Sequence, residues 1–486
     1  MDADNNASPV KPLTHRETRL VILGVMLPAF MGSLDNTILA SALPSIGRDF
    51  GDVHNLPWLI TAYLIAATSV LPLHGKISDI KGRRFTILVS IALYMAGSLV
   101  CALAPSMFVL ILGRILHGFG GGGLSAMGMV ILGDIAAPKD RGRYYGYFSF
   151  IYSTAGGCGP LLGGFLSDYL HWSAIFWLNI GMGLVAIALT LTFLGRLPRR
   201  ERSHRLDFLG AALIMIASVL VMLALSMGGV RYPWISAPIA GLAVAGLVIG
   251  AGFVWRLLTA PEPLIPLSIL AEPVACYAVI AHGCGWASIA GLNIFLPMYL
   301  QNTMNYSASV AGLSLMVFMV ALNTSGGFVG HWIGKATRYK IVPVLGLSIS
   351  IATVLVLAWQ AEHLTFWSLE LLLAVIGIGF GGVPPLTLVA LQNVVAPHQL
   401  GTAVSAMSFS RGLFSAMLIA IFGAIVLSGS APADPGQIVA AGRSAAATSA
   451  ADFARIFFAT AGSLSITLIC IILLEEKPLR GNHQEE

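Results

Sequence analysis

The chain has 486 residues, 57% of them hydrophobic and 10% charged, with a formal net charge of +5 and a mean hydropathy of +0.84. Soluble domains carry about 25% charged residues, so no globular fold has the polar cover to keep this much apolar surface in water. The composition points to an all-α polytopic membrane protein, in which the placement of the charges matters more than their sum.

In chain order, the first 19 residues are polar and show neither a cleavable signal pattern nor a twin-arginine motif. The first apolar run is therefore expected to stay in the membrane. Apolar runs predict fourteen helices, near 20–44, 56–75, 85–104, 107–133, 144–167, 173–195, 208–227, 235–257, 273–299, 309–333, 341–360, 366–391, 400–428 and 453–474. Most are long enough for a hydrocarbon core of about 30 Å. With the N-terminus placed inside, 21 of the 27 Lys and Arg fall on the cytoplasmic side. Arg48, Arg231, Arg443 and Arg455 fall outside, and Arg114 and Arg411 lie within spans. This positive-inside bias predicts that both termini are cytoplasmic. The five cysteines, Cys101, Cys158, Cys276, Cys284 and Cys470, all lie in apolar runs with no disulfide or metal spacing, and read as small packing residues.

Two stretches far apart are alike. HGFGGGGLSAMGMVILGDIAAPKDRG (117–142) matches IGFGGVPPLTLVALQNVVAPHQLG (378–401), and GKISDIKGRR from Gly75 matches GHWIGKATRYK from Gly330. Leu34-Asp35 matches Leu292-Asn293, and all these pairs recur at offsets of 255 to 261 residues. A transporter of two parallel six-helix halves leaves this trace, and the surplus length equals two helices between them. The predicted organisation is a cytoplasmic tail (1–19), a six-helix bundle (20–195), a basic linker (196–207), an inserted helix pair (208–257), a linker (258–272), a second six-helix bundle (273–474) and a C-terminal tail (475–486).

Four segments carry residues with chemical consequences. Between spans two and three stands GKISDIKGRRF, with Gly75, Asp79, Gly82, Arg83 and Arg84. Its glycines permit a tight turn and close helix approach, and Asp79 is placed to meet a helix N-terminus or an arginine. The plain alternative is an ordinary basic loop. Span four, RILHGFGGGG, holds Arg114 inside the hydrocarbon, where it must be paired or wetted, with His117 one turn away. Span five, YSTAGGCGPLLGGFLSD, sets Gly156, Gly159, Gly163 and Gly164 around Pro160, a pattern for close backbone approach and a kink. Span one, LDNTILASALPSI, places Asp35 roughly 22 Å from the inner end at helical rise. A carboxylate there is paired or protonated, and an intramembrane acid is a functional residue by default; a structural hydrogen bond to a neighbouring helix is the alternative. The second-half counterpart, Asn293, cannot carry a proton.

GKISDIKGRRF resembles the loop motif of the major facilitator superfamily. LDNTILASALPSI, through Asp35, Thr37, Ala42, Leu43 and Pro44, is similar to the first-helix motif of the fourteen-helix drug:proton antiporters within it. HWSAIFWLNI, LDFLGA, EPLIPLSIL and SRGLFSAMLIAIFGAI extend the resemblance over about residues 18–475. It implies the major facilitator fold, with 14 transmembrane helices arranged as 6+2+6. It also implies that the loop cluster, with Asp134 at the inner end of span four, latches the two halves in the outward-facing state. Arg114 would lie near the proton-coupling site. His117 departs from the usual Gln and either titrates or performs the hydrogen bonding of that Gln while neutral. The run around Gly-Pro looks like the antiporter signature of exporters, although close packing alone would also place glycines there.

The remaining polar residues are less specific. Glu370 near the outer end of span twelve reads as an interfacial acid or a cation contact, and Arg411 as a partner for an acid across the cavity. His282 reads as a packed, hydrogen-bonded residue, and Trp58, Trp172, Trp234 and Trp367 as an interfacial belt. The expected function is proton-coupled antiport of amphipathic drugs or other small molecules out of the cytoplasm, across the bacterial cytoplasmic membrane, by a monomer surrounded by lipid. No cofactor and no nucleic acid are implied, and a periplasmic adaptor partner is left open. Export of an endogenous lipid, siderophore or metabolite fits the same motifs, and proton-coupled uptake is disfavoured by the Gly-Pro run. A membrane enzyme would need a cluster of acids, bases or ligands at one face; only Asp49, Asp52 and His54 group in this way, without a metal or phosphate pattern.

Overall fold

The computed structural model describes residues 15–52, 55–136, 138–196, 206–336, 338–429 and 450–479. Among these the chain is helical, with no strand beyond an isolated bridge between Gly228 and Tyr232. The N-terminal helices are α1 (His15–Phe50), α2 (Leu56–Ser69), α3 (Leu71–Lys81), α4 (Arg83–Ala102), α5 (Met107–Ile135), α6 (Pro138–Tyr169) and α7 (Ala174–Phe193). A pair follows, α8 (Phe208–Met227) and α9 (Ala237–Thr259), then the short α10 (Leu267–Ala271). The C-terminal helices are α11 (Pro273–Asn302), α12 (Ala308–Ile333), α13 (Ile341–Trp359), α14 (Phe366–Phe380), α15 (Val383–Val394), α16 (Leu400–Gly429) and α17 (Ala450–Leu473).

Eleven of the described helical segments are long and apolar enough to cross a membrane, or thirteen when each of two bent pairs is taken as one span. The remaining predicted span, 144–167, lies wholly within the 32-residue α6, which is long enough but less apolar than the others. Several helices outrun their apolar stretches. Helix α1 continues to Phe50 and takes Arg48 into its last turn, and α6 begins at Pro138 rather than 144. The second predicted span is bent by 41° at Val70, because Pro72 has no N–H to continue the ladder. The twelfth breaks at Gly381–Gly382, just before Pro384 and Pro385. Residues 197–205 of the basic linker, His54 and residues 430–449 of the Ala/Gly/Ser-rich loop lie outside the described residues.

Lipid tails are as apolar as leucine, so close packing rather than hydrophobic burial holds membrane helices together. Helix α5 shows how the sequence achieves this. A Cβ on Gly120 would overlap the Tyr94 backbone of α4, and one on Gly122 would overlap the Ala67 carbonyl of α2. The glycine run thus lets α5 lie against both helices at backbone distance, with Arg114 and His117 fixed in the seam.

The apolar residues gather into three large cores. One core contains only N-terminal residues, among them Leu34, Ile38, Leu59, Leu110 and Phe176. Another contains only C-terminal residues, with Phe295, Phe318, Phe380, Phe422 and Phe457 at its centre. A third is shared: Val21, Val25, Leu71, Leu124 and Val130 pack with Val274, Ala278, Leu391, Leu400 and Val404. Along α1, the shared core lies near the helix start and the N-terminal core beyond residue 34. The two sets of helices therefore merge at the level of the α1 N-terminus and keep separate cores at the other.

The pair α8–α9 is stapled at that same level. Asp207 caps α8 by accepting from Gly210 N at 3.0 Å and pairs with Arg256 Nε near the end of α9 at 3.0 Å. Helix α8 packs against α2 and α16, while α9 leaves Val244, Leu247, Val248 and Trp255 exposed. Asp207→Ala removes both a cap and an ion pair, and is expected to cost about 1–2 kcal/mol, read as a lowered thermal unfolding midpoint of the purified protein.

Candidate functional site

Arg114 and Asp35 meet inside the N-terminal helices. Arg114 Nη1 lies 2.9 Å from both carboxylate oxygens of Asp35, and the two residues are each 1% exposed. Arg114 Nε donates to Leu59 O at 2.9 Å, and its guanidinium stacks over the Tyr63 ring at 4.3 Å. Nη1 also lies 2.7 Å from His117 Nδ1, and His117 Nε2 lies 3.1 Å from Ser98 Oγ. An arginine only donates, so Nδ1 is the unprotonated nitrogen and Nε2–H faces Ser98. In this arrangement His117 is neutral and does the hydrogen bonding expected of a Gln. It is fully buried against Tyr94, 3.8 Å between ring centroids, with Asp35 Oδ1 3.6 Å from Nδ1. Tyr63, Tyr94, Ser98 and Leu59 belong to apolar runs and carry no motif that marks them in the sequence.

The loop cluster forms a second polar knot. Asp79 Oδ1 accepts from Gly401 N at 3.0 Å, and Oδ2 accepts from Thr402 N and Thr402 Oγ1, both at 2.7 Å. Asp79 thereby sits at the N-terminus of α16, where backbone donors and the helix dipole favour an anion. Arg83 bridges Asp79 and Asp134, at 2.5 Å to each. Both partners expected for Asp79, a helix N-terminus and an arginine, are present at once. Gly75 lets α3 touch α16: an added Cβ would lie 2.6 Å from Gly401 O. Gly82 ends α3 with φ +88°, in the region that favours glycine. Arg84 is apart from the knot and donates to Leu191 O of α7 at 3.3 Å.

The glycines around Pro160 divide into two kinds. A Cβ on Gly159 would overlap Thr37 Oγ1, and one on Gly163 would overlap Ile38 O, so α1 and α6 touch through them. Thr37 Oγ1 lies 3.0 Å from Leu34 O and 3.1 Å from Ala155 O, in the same contact. Gly156 and Gly164 have nothing within 4 Å of an added Cβ.

The less specific residues separate as well. His282 Nδ1 lies 2.9 Å from Thr387 Oγ1. Asn293 Oδ1 is buried without a hydrogen-bond partner, and so are both carboxylate oxygens of Glu370. Arg411 pairs with no acid among the described residues; its guanidinium lies 5.6 Å from the Trp286 ring centroid. Trp172 departs from the interfacial belt: it is 4% exposed and donates to Asp49 Oδ2 at 2.8 Å. Asp52 accepts from Asn55 and braces the turn between α1 and α2, whereas Asp49 in the last turn of α1 ties that helix to the turn between α6 and α7.

A bundle of N- and C-terminal helices that share one apolar core and each hold another of their own, with a sealed ion pair inside the N-terminal set, fits a polytopic transporter. The Major Facilitator Superfamily matches residues 25–420, and the chain belongs to it. The chain is 31% identical over 418 residues to the multidrug transporter protein MdtP of Bacillus subtilis, covering 84% of this chain and 75% of that one. It is 30% identical over 410 residues to an uncharacterized MFS-type transporter of Mycobacterium tuberculosis, covering 84% of this chain and 59% of the relative's length. Among solved structures, the human organic anion transporter MFSD10 superposes with a TM-score of 0.65 at 16% identity, covering 94% of this chain and 99% of that one. The proton:xylose symporter XylE superposes at 0.64 and 13%, covering 96% and 98%. At these identities the solved structures share the fold.

Two outcomes are expected from this geometry. Ser405, fully buried beside Gly75 behind the Asp79 knot, should as Ser405→Cys resist maleimide labelling in the purified protein, and label several-fold faster when Asp79→Asn is added. Gly159→Val should prevent a stable, monodisperse protein by forcing α6 off α1, whereas Gly156→Val should give a thermal midpoint close to that of the parent.

Proposed function

We propose that the chain is a proton-coupled antiporter that exports amphipathic small molecules across the bacterial cytoplasmic membrane by alternating access. Fourteen spans arranged as 6+2+6, with both termini cytoplasmic, fit the basic residues of the loops, the repeat and the helices. The domain boundaries are those of the predicted organisation, 20–195 and 273–474 for the two bundles and 208–257 for the inserted pair. The cytoplasmic level is then the level of the shared core and of the Asp79–Arg83–Asp134 knot, and the conformation is outward-facing.

The observation that carries this reading is the sealed Asp35–Arg114–His117 group. Asp35 is the acid for proton uptake, Arg114 the counter-charge, and His117 a further acceptor at the same Nη1. Protonating Asp35 removes the anion from Arg114 Nη1 and leaves the guanidinium with His117, Leu59 O and the Tyr63 ring. A group that binds a proton differently in two conformations couples proton binding to their equilibrium. The rigid α1–α6 contact at Thr37, Gly159 and Gly163 keeps Asp35 in register while the halves rock. Named relatives such as MdtP support efflux of drugs as the cargo class.

Asp35→Asn should abolish proton-driven export in inverted vesicles, measured as loss of pH-gradient-dependent substrate movement, while the protein stays folded and monodisperse at a lowered thermal midpoint, since the buried Arg114 charge loses its partner. Undiminished transport by a folded Asp35→Asn protein would remove Asp35 from the mechanism.

A further inference from the structure

Arg411 lies where α16 crosses three helices. Its neighbour Gly412 packs on Thr68 of α2, its guanidinium faces Trp286 of α11, and Tyr145 and Tyr152 of α6 lie within electrostatic range. It is half-buried, and from Ser408 to Ile421 no residue of α16 is buried, in contrast to the packed segment 400–405. Guanidinium cannot lose its charge and has five donors to satisfy. In hydrocarbon such a cation is costly without an anion or water. Arg114 meets this demand with Asp35; Arg411 has no carboxylate among the described residues, and the nearest ionisable neighbours are the two tyrosines and His282. Trp286 Nε1 is a second buried donor with no acceptor. His282 Nδ1 is engaged with Thr387 Oγ1, whose own proton has Val383 O at 3.0 Å to donate to. The group thus consists of donors and aromatic faces at the junction of the N- and C-terminal helices, with no acceptor of matching charge.

We infer that Arg411 and Trp286 form a cargo subsite for the carboxylate or other anionic head of an amphipathic organic anion, with Tyr145 and Tyr152 against its apolar body. An arginine takes a carboxylate through two parallel hydrogen bonds, and an indole N–H supplies a further donor. This deepens the proposed export function by naming the cargo class and rests on that reading for direction only; binding at Arg411 does not require proton coupling.

The test is equilibrium binding to the intact purified protein, using probes that differ only in charge: 1-naphthylacetate against 1-naphthylacetamide, and dodecanoate against dodecanamide, with tetraphenylphosphonium as the cation. Both carboxylates should bind more tightly than their amides. Arg411→Gln should weaken carboxylate binding roughly 10- to 100-fold, the loss of a charge-assisted hydrogen-bonded pair, while changing amide binding little. Arg411→Lys should retain part of the preference, and also serves if the Gln variant does not fold. Equal binding of each carboxylate and its amide, no carboxylate binding, or an unchanged preference in folded Arg411→Gln or Arg411→Lys would overturn the assignment. Asp35→Asn should leave the carboxylate preference intact, so a failure of proton coupling and a failure of this subsite are separately visible.

Discussion

A guanidinium in hydrocarbon has no neutral form to retreat to, so the helices around Arg114 must arrange themselves to suit it. Each of its contacts comes from a different place: Asp35 from α1, Leu59 O and the Tyr63 face from α2, and His117 from its own α5, itself steadied by Ser98 of α4. One cation thus sets the mutual position of four helices. Removing one partner of a buried ion pair costs about 3–5 kcal/mol, because the other charge is left uncompensated. Protonating Asp35 is the reversible counterpart of that removal. The energy is of the order of the roughly 5.5 kcal/mol that inverts a two-state population from 1:99 to 99:1, so a single proton at this position would be an adequate lever for the proposed coupling.

The lever and the knot at the other level are built on the same helices. Helix α5 carries Arg114 and His117 toward one end and Asp134 at the other, 17 residues from His117, or roughly 25 Å at helical rise. Helix α4 carries Ser98 and Tyr94 at one level and Arg83 at the other, while α2 and α3 carry Leu59 and Tyr63 and then Asp79. Three continuous or once-broken rods therefore end in both polar groups. Among the described residues, the Asp79 knot bonds to the C-terminal helices through Gly401 and Thr402, whereas the hydrogen bonds of the Arg114 group stay within the N-terminal helices. The two polar groups are thus joined by packed helix backbone, the route the proposed coupling would use.

Much of this was legible in the sequence because charges are scarce in it. Asp35, Arg114 and Arg411 stand out against apolar runs, and Asp79 lies in a spacing that already suggested a helix N-terminus and an arginine. What could not be read was which helix and which arginine: Gly401 is more than 300 residues from Asp79 in sequence and meets it only through tertiary packing. The same limit applies to Asp35 and Arg114, each identifiable alone but not as a pair. Tyr63 and Tyr94 were hidden because an aromatic in an apolar span looks like any packing residue. Gly156 and Gly159 are chemically identical, and only the path of α1 decides that one is in contact and the other is not. Trp172 differs from the other span-end tryptophans because its ring is buried against Phe50 and Phe176 while its N–H reaches the exposed carboxylate of Asp49 at the end of α1.

The two polar groups inside the membrane differ in kind, and the difference bears on energetics. The N-terminal helices hold a closed set, one anion matched to one cation with every contact internal. At the junction with the C-terminal helices, Arg411 and Trp286 form an open set of donors. In the proposed exchange, a proton taken at the first and an anion carried at the second would move charge in the same sense: a proton entering and a monoanion leaving both transfer positive charge inward. Each elementary charge moved across 100 mV is worth about 2.3 kcal/mol, so a one-for-one exchange of this type draws about 4.6 kcal/mol per 100 mV from the potential, in addition to the pH gradient. A one-for-one exchange of a proton for a monocation is electrically silent and draws only on the pH gradient. Separate sites of opposite character therefore suit a pump that uses both components of the proton gradient.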